Sequence, residues 1–154
     1  YINFQKVNTD MINLRKAQME EQNSVSVHVR MSDYLQKSKM YGNICTREYY
    51  RKAFNYIIER VENPVFYVFS DEPEKAAEML KEYNCCLITE NRNENSYKDI
   101  YLMSRCRYHI IANSTFSWWG AWLDKRSNQI VVTPSRWNNI CRKNEICCNG
   151  WIMV

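Results

Sequence analysis

The chain has 154 residues but only three glycines and three prolines. That scarcity argues against a loop-rich sandwich and for helices joined by short connections. The glycines stand at positions 42, 120 and 150, so a GxGxxG phosphate turn is excluded, and with it an NAD-binding Rossmann domain of the ordinary kind. Histidine is rarer still, with only His28 and His109, so no metal centre stands out. There are seven cysteines but no CxxC pair; Cys85-Cys86 and Cys147-Cys148 are adjacent, a spacing unsuited to a shared bridge or a zinc knuckle. Free thiols in a reducing compartment are the preferred reading. No apolar run is long enough to span a membrane and no secretory signal is present, although a start at Tyr1 rather than Met leaves room for a removed N-terminal segment. The formal charge of +4 is spread along the chain without a basic-aromatic stripe, which excludes a nucleic-acid binder and suits a phosphate-bearing small ligand.

What is present is a run of alternating elements, read as one domain over residues 1–154. Thr9 to Gln22 reads as a helix and Ser24 to Arg30 (SVSVHVR) as a strand. Ser32 to Cys45 is polar and reads as a loop. Thr46 to Val61 carries Tyr50, Ala53, Phe54, Ile57, Ile58 and Val61 as an apolar stripe and is the clearest helix. VFYVFS at Val65 to Ser70 reads as a buried strand, followed by a helix to about Glu82 with Asp71 as its cap and Pro73 in its first turn. Further strands are expected at 85–89, 109–112 and 129–133, and helices at 97–105 and 114–123. Beyond Trp137 the pattern fades. Strands alternating with helices imply a parallel, Rossmann-like three-layer α/β sheet, whose ligands sit beyond the carboxyl ends of its strands.

Three of the turns at that edge carry unusual residues. In HVRMSDY, His28 and Arg30 share a strand face, and a guanidinium at Arg30 can make paired hydrogen bonds to phosphate. Asp33 is placed to hold Arg30 or serve a sugar hydroxyl; the plainer alternative is a surface ion pair between Arg30 and Asp33, with His28 merely buried. FSDEP, Phe69 to Pro73, reads as a strand end and helix cap, or as an acidic metal motif. Asp99 lies in a helix's first turn, where it either complements the helix dipole or accepts hydrogen bonds from a guanine edge. In NSTFSWWGAWL, Asn113, Ser114 and Thr115 open a helix whose first N–H groups lack internal partners. That is a phosphate cradle without a glycine loop, or an N-capped core helix. Trp118, Trp119 and Trp122 are read mostly as packing, and Gly120 as a point of close approach.

HVRMSDYL, FYVFSDEP, DIYLMSRCRYHIIANSTFSWWGAWL and VVTPSRWNN resemble, in order and spacing, the signature blocks of glycosyltransferase family 11, the α-1,2-fucosyltransferases. The resemblance implies one half of a GT-B-like enzyme that transfers L-fucose from GDP-fucose, with inversion, to the 2-hydroxyl of a galactose-terminated glycan, without a metal or other cofactor. Carried over by position, Arg30 resembles the arginine that binds the β-phosphate and His28 its neighbour in the donor pocket. Asp99 resembles the guanine-binding aspartate, and Ser114, Thr115 and Phe116 the phosphate and nucleotide contacts, beside Asn113. Asp33 is the nearest candidate for the general base. Ser32 replaces the glycine usual in the family, and the family's glycine-rich N-terminal block has no counterpart. The chain therefore reads as the donor-binding half, with the acceptor-binding N-terminal half as its partner. The alternative is a non-catalytic GDP-sugar-binding fragment. A bacterial reading places the protein in the cytoplasm with or without membrane association; an animal reading places it at the Golgi membrane.

Overall fold

The computed structural model describes residues 10–31, 38–91, 93–141 and 143–154. Its strands are β1 (Ser24–Val29), β2 (Val65–Ser70), β3 (Cys85–Ile88), β4 (Tyr108–Ile110), β5 (Ile130–Thr133) and β6 (Ile152–Met153). They form one sheet in the order β3-β2-β1-β4-β5-β6. Every pairing is parallel. Both faces are therefore covered by helices, and β1 is buried along its whole length.

The helices are α1 (Asp10–Glu21), α2 (Ser38–Tyr41), α3 (Arg47–Ile58), α4 (Pro73–Met79), α5 (Tyr97–Met103) and α6 (Thr115–Trp122). Side-chain alternation along β1 sorts the two layers. Val25, Val27 and Val29 pack with Tyr50, Ala53, Phe54 and Ile57 of α3 and Ala76 of α4. On the other face, Tyr67 and Phe69 of β2 pack with Ile12 and Met19 of α1 and Tyr101, Leu102 and Met103 of α5. α6 continues that second layer, with Ala121 against Ile111 and Val131.

α3 is the helix that the sequence specifies most fully. Thr46 caps it, its Oγ1 accepting the Tyr49 N–H at 3.3 Å. Tyr49 Oη donates to the Ile111 carbonyl at 2.5 Å and Tyr50 Oη to the His28 carbonyl at 2.7 Å, tying the helix to the ends of β4 and β1. The stripe is narrower than the sequence suggests: Ile58 ends the helix and is 48% exposed. Gly120 does mark a close approach, because a Cβ there would lie 2.8 Å from Met103 Cβ on α5.

Four expectations need correction. The stretch 32–45, read wholly as loop, contains the helical turn α2. Glu72, not Asp71, occupies the cap position of α4. The featureless tail supplies β6, with Val154 N–H bonding to the Thr133 carbonyl at 3.1 Å and Asn144 Nδ2 to Thr133 Oγ1 at 2.9 Å. A two-residue strand held by such long-range bonds has no period to read. The tryptophans do not all pack inward, since Trp119 and Trp122 are 46% and 42% exposed. All seven cysteines are free. Among the described residues no helix is long and apolar enough to cross a membrane.

Candidate functional site

The strand order reverses between β1 and β4, and ligands of open parallel sheets bind outside the carboxyl ends of strands at such a point. Val27 of β1 lies opposite Ile110 of β4, so Arg30 and Asn113 each follow three residues later on adjacent strands. The two turns that the sequence singled out therefore meet at one rim of the sheet.

Arg30 leaves β1 at that rim, and its Nε lies 3.4 Å from Asp71 Oδ2 at the end of β2. The other oxygen of Asp71 accepts the Met31 N–H at 2.9 Å. A carboxylate facing Arg30 thus comes from FSDEP, forty-one residues away in sequence. Asp33 and Ser32 lie outside the described residues. Arg30 also lines a cleft of about 570 Å³ with Met31, Tyr41, Thr46 and Lys75.

His28 lies below Arg30, buried against Phe116 of α6, with ring centroids 5.5 Å apart. Its Nδ1 is buried without a hydrogen-bond partner. Burial, reinforced by Arg30 and partly offset by Asp71, holds the imidazole down at about 4, so it is neutral near pH 7. α6 begins directly above. Ser114 is its cap residue but makes no side-chain capping bond, and Thr115 is exposed. The first N–H groups of the helix and these two hydroxyls form a donor-rich tip with about half a positive charge.

Asn113 is buried and serves the loops. Its Nδ2 donates to the carbonyls of Tyr41 and Trp137 at 3.2 and 3.1 Å, and Cys45 Sγ donates to its Oδ1 at 3.3 Å. It clamps the segments flanking β4 and so sets where α6 starts. Burial pushes the Cys45 thiol up to about 12, so it acts there as a neutral donor.

Asp99 lies at the head of α5, which packs beside α6. α5 leads down into β4 and α6 leads back from it, so both helices start at the same rim. Helices in contact lie about 8–10 Å apart, within the span of a nucleoside diphosphate. Burial pushes the Asp99 carboxyl up to about 7 despite a 2.8 Å hydrogen bond from Asn91 Nδ2.

A second polar cluster has a different character. Ser26 Oγ lies 2.8 Å from His109 Nδ1, and His109 Nε2 lies 3.0 Å from Asp124 Oδ2. The three residues are at most 4% exposed and sit within the sheet and its covering layer, not at the rim. Burial pushes the Asp124 carboxyl up, but bonds from His109 and Arg126 outweigh it and hold it below its ordinary value. The ionised carboxylate takes the Nε2–H of a neutral imidazole, which leaves Nδ1 to accept from Ser26. Buried in this way, the cluster joins β1, β4 and the end of α6. Among the described residues no group of three or more His, Cys, Asp or Glu is placed to hold a metal ion.

Comparison with known proteins gives concordant results. The family model described as glycosyl transferase family 11 matches residues 5–154. The O-antigen biosynthesis glycosyltransferase WbnK of Escherichia coli is 35% identical over 96% of this chain and 52% of its own length. An α-1,2-colitosyltransferase of Escherichia coli is 39% identical over 86% of this chain and 48% of its own length. The chain thus spans about half the length of the curated relatives it matches. The crystal structure of apo POFUT1 superposes with a TM-score of 0.53 at 15% identity, covering 81% of this chain and 46% of that one, a likeness of fold.

Proposed function

The chain belongs to glycosyl transferase family 11, and from that membership we propose that it is the donor-binding half of an inverting galactoside α-1,2-fucosyltransferase that uses GDP-fucose. The single observation that carries the reading is that Arg30 follows β1 and the uncapped tip of α6 follows the adjacent parallel β4, at the reversal point of the sheet. The relative named as an α-1,2-colitosyltransferase supports the linkage.

In this reading the diphosphate lies across Arg30, Ser114 and Thr115, with His28 and Phe116 below it, Asn113 fixing the start of the helix and the base at Asp99. Transfer breaks the bond between the sugar's anomeric carbon and the β-phosphate oxygen as an acceptor hydroxyl attacks from the opposite face. The sugar becomes oxocarbenium-like while GDP gains negative charge. Preorganised donors aimed at that growing charge lower the barrier, each worth roughly 3 kcal/mol, or about a hundredfold in rate. Metal-independence is part of the proposal, because the guanidinium and the helix tip supply the positive charge. Asp33 is the candidate base toward the acceptor, and a base from an N-terminal half is the competing source. The residues 1–154 would form one GDP-sugar-binding domain, and the acceptor site would need the other half.

The colitosyltransferase likeness favours a second reading, in which the donor sugar is colitose and the nucleotide site is the same. Calorimetric titration with GDP-fucose, GDP and UDP, with and without EDTA, tests the common core. Binding of both guanine nucleotides, weak UDP binding and no EDTA effect are expected; equal affinity for UDP sinks the guanine assignment. Transfer from GDP-fucose and GDP-colitose to a terminal galactoside, with an N-terminal half supplied, then separates the two sugars. Donor binding with no transfer under any of these conditions would leave a non-catalytic GDP-sugar-binding module.

A further inference from the structure

The loop after β3 is tied down from two sides. Glu90 Oε1 accepts Arg15 Nε and Nη2 of α1 at 2.9 and 2.6 Å, and its Oε2 accepts the Thr89 N–H at 3.0 Å. The next residue, Asn91, donates through Nδ2 to Asp99 Oδ1 at 2.8 Å. A chain of polar contacts thus runs from α1 through the loop to one carboxyl oxygen at the head of α5. Asp99 makes that contact while half-buried.

We propose that Asn91 is a positioning residue for base recognition: its amide holds Oδ1 of Asp99 and so sets the plane in which the carboxylate accepts the two adjacent N–H donors of a guanine edge. The inference rests on the donor-site reading above. Guanine presents its ring N1–H and exocyclic amine side by side, a pattern that a carboxylate matches with two parallel bonds. Hypoxanthine lacks the exocyclic amine. Uracil flanks its single ring N–H with carbonyl oxygens, which repel a carboxylate. Asn91 is a donor, so it favours the ionised, fully accepting form.

The charges around Asp99 make the role measurable. Burial pushes its carboxyl up to about 7, the Asn91 bond pulls it down and the Glu90 carboxylate raises it. Arg15 of α1 partly neutralises Glu90. Among the described residues, Glu94 of the 3₁₀ turn Asn93–Asn95 and Lys98 of α5 are the other charged groups nearby in the chain, and α6 carries no titratable side chain. Guanine binding selects the ionised carboxylate and expels a proton. Affinity should therefore rise with pH up to about 7 and level off above it.

The test is calorimetric affinity for GDP-fucose on the intact chain from about pH 5.5 to about pH 8.5, a window in which neither its diphosphate diester nor guanine titrates. The wild-type protein should gain up to about tenfold per pH unit below the midpoint. Asn91→Leu should weaken binding and move the midpoint to higher pH, because the bond that favours the ionised form is gone. Asn91→Gln, which keeps an amide, should recover part of both, and Asp99→Asn should bind weakly with a flat profile. Asn91→Ser tests the same loss of amide if Asn91→Leu does not fold. A uniform weakening with an unmoved midpoint overturns the positioning role while leaving the donor site standing. Absence of GDP-fucose binding, or equal affinity for UDP-fucose, overturns the donor reading and this inference with it.

Discussion

Arg30 owes its place at the rim to β1 and pairs there with Asp71. The guanidinium itself was legible in HVR, where a cation follows a buried alternating strand. Its ion pair with Asp71 was not, because nothing local links residues forty-one apart in the chain. Lysine at this position keeps the charge but loses the paired geometry. Arg30→Lys should therefore lower transfer by about a hundredfold, the weight of one well-placed donor to developing charge. It should lower the turnover number more than it weakens GDP-fucose binding; a variant with near wild-type turnover would remove Arg30 from the mechanism. Asn113 shows the opposite case. Its place beside the helix tip was legible, while the engagement of its amide with two loops was not.

At the scale of elements, α6 carries the largest share of the candidate site and packs against α5. Gly120 faces Met103 so closely that an added Cβ would meet Met103 Cβ at 2.8 Å and its Sδ at 2.9 Å. Alanine in a helix gains about 1 kcal/mol over glycine, whereas overpacking costs about 1–3 kcal/mol. The Cβ of Met103 cannot rotate away, so the overpacking term wins. Gly120→Ala should lose about 1 kcal/mol in urea unfolding, equivalent to a fall of about 2–4 °C in midpoint. A variant as stable as the wild type would show that α5 and α6 can slide apart. This contact was foreshadowed by a lone glycine in a tryptophan-rich helix. The outward faces of Trp119 and Trp122 were not, since an amphipathic spacing does not say how wide the covered face is.

For the whole molecule, buried His28 and half-buried Asp99 oppose each other in pH. His28 titrates at about 4 in the folded chain and about 6.5 when unfolded, so the unfolded state binds more protons between these values. Its contribution to stability is full above about pH 6.5 and is lost as pH falls toward 4; buried His109, also lowered, acts in the same direction. Asp99, raised to about 7, holds a proton that the unfolded chain has released, so its contribution falls as pH rises from about 4 to about 7. Each slope is at most about 1.4 kcal/mol per pH unit. Asp99→Asn deletes the falling part. The unfolding free energy of that variant should climb more steeply than that of the wild type between about pH 4 and about pH 6.5. Parallel profiles in denaturant titrations would contradict the raised carboxyl of Asp99. The sequence by itself determined the alternation of strand and helix, the buried β1, the α3 stripe and the family blocks, because each is written in near-neighbour periodicity and local chemistry. Only the tertiary structure decided that Asp71 serves Arg30, that Asn91 holds Asp99, that Ser26, His109 and Asp124 form a closed interior cluster, and that the tail returns as β6. Those pairings join residues far apart in the chain, and which strand lies beside which is fixed by packing both faces of one sheet at once, a condition that no local window contains.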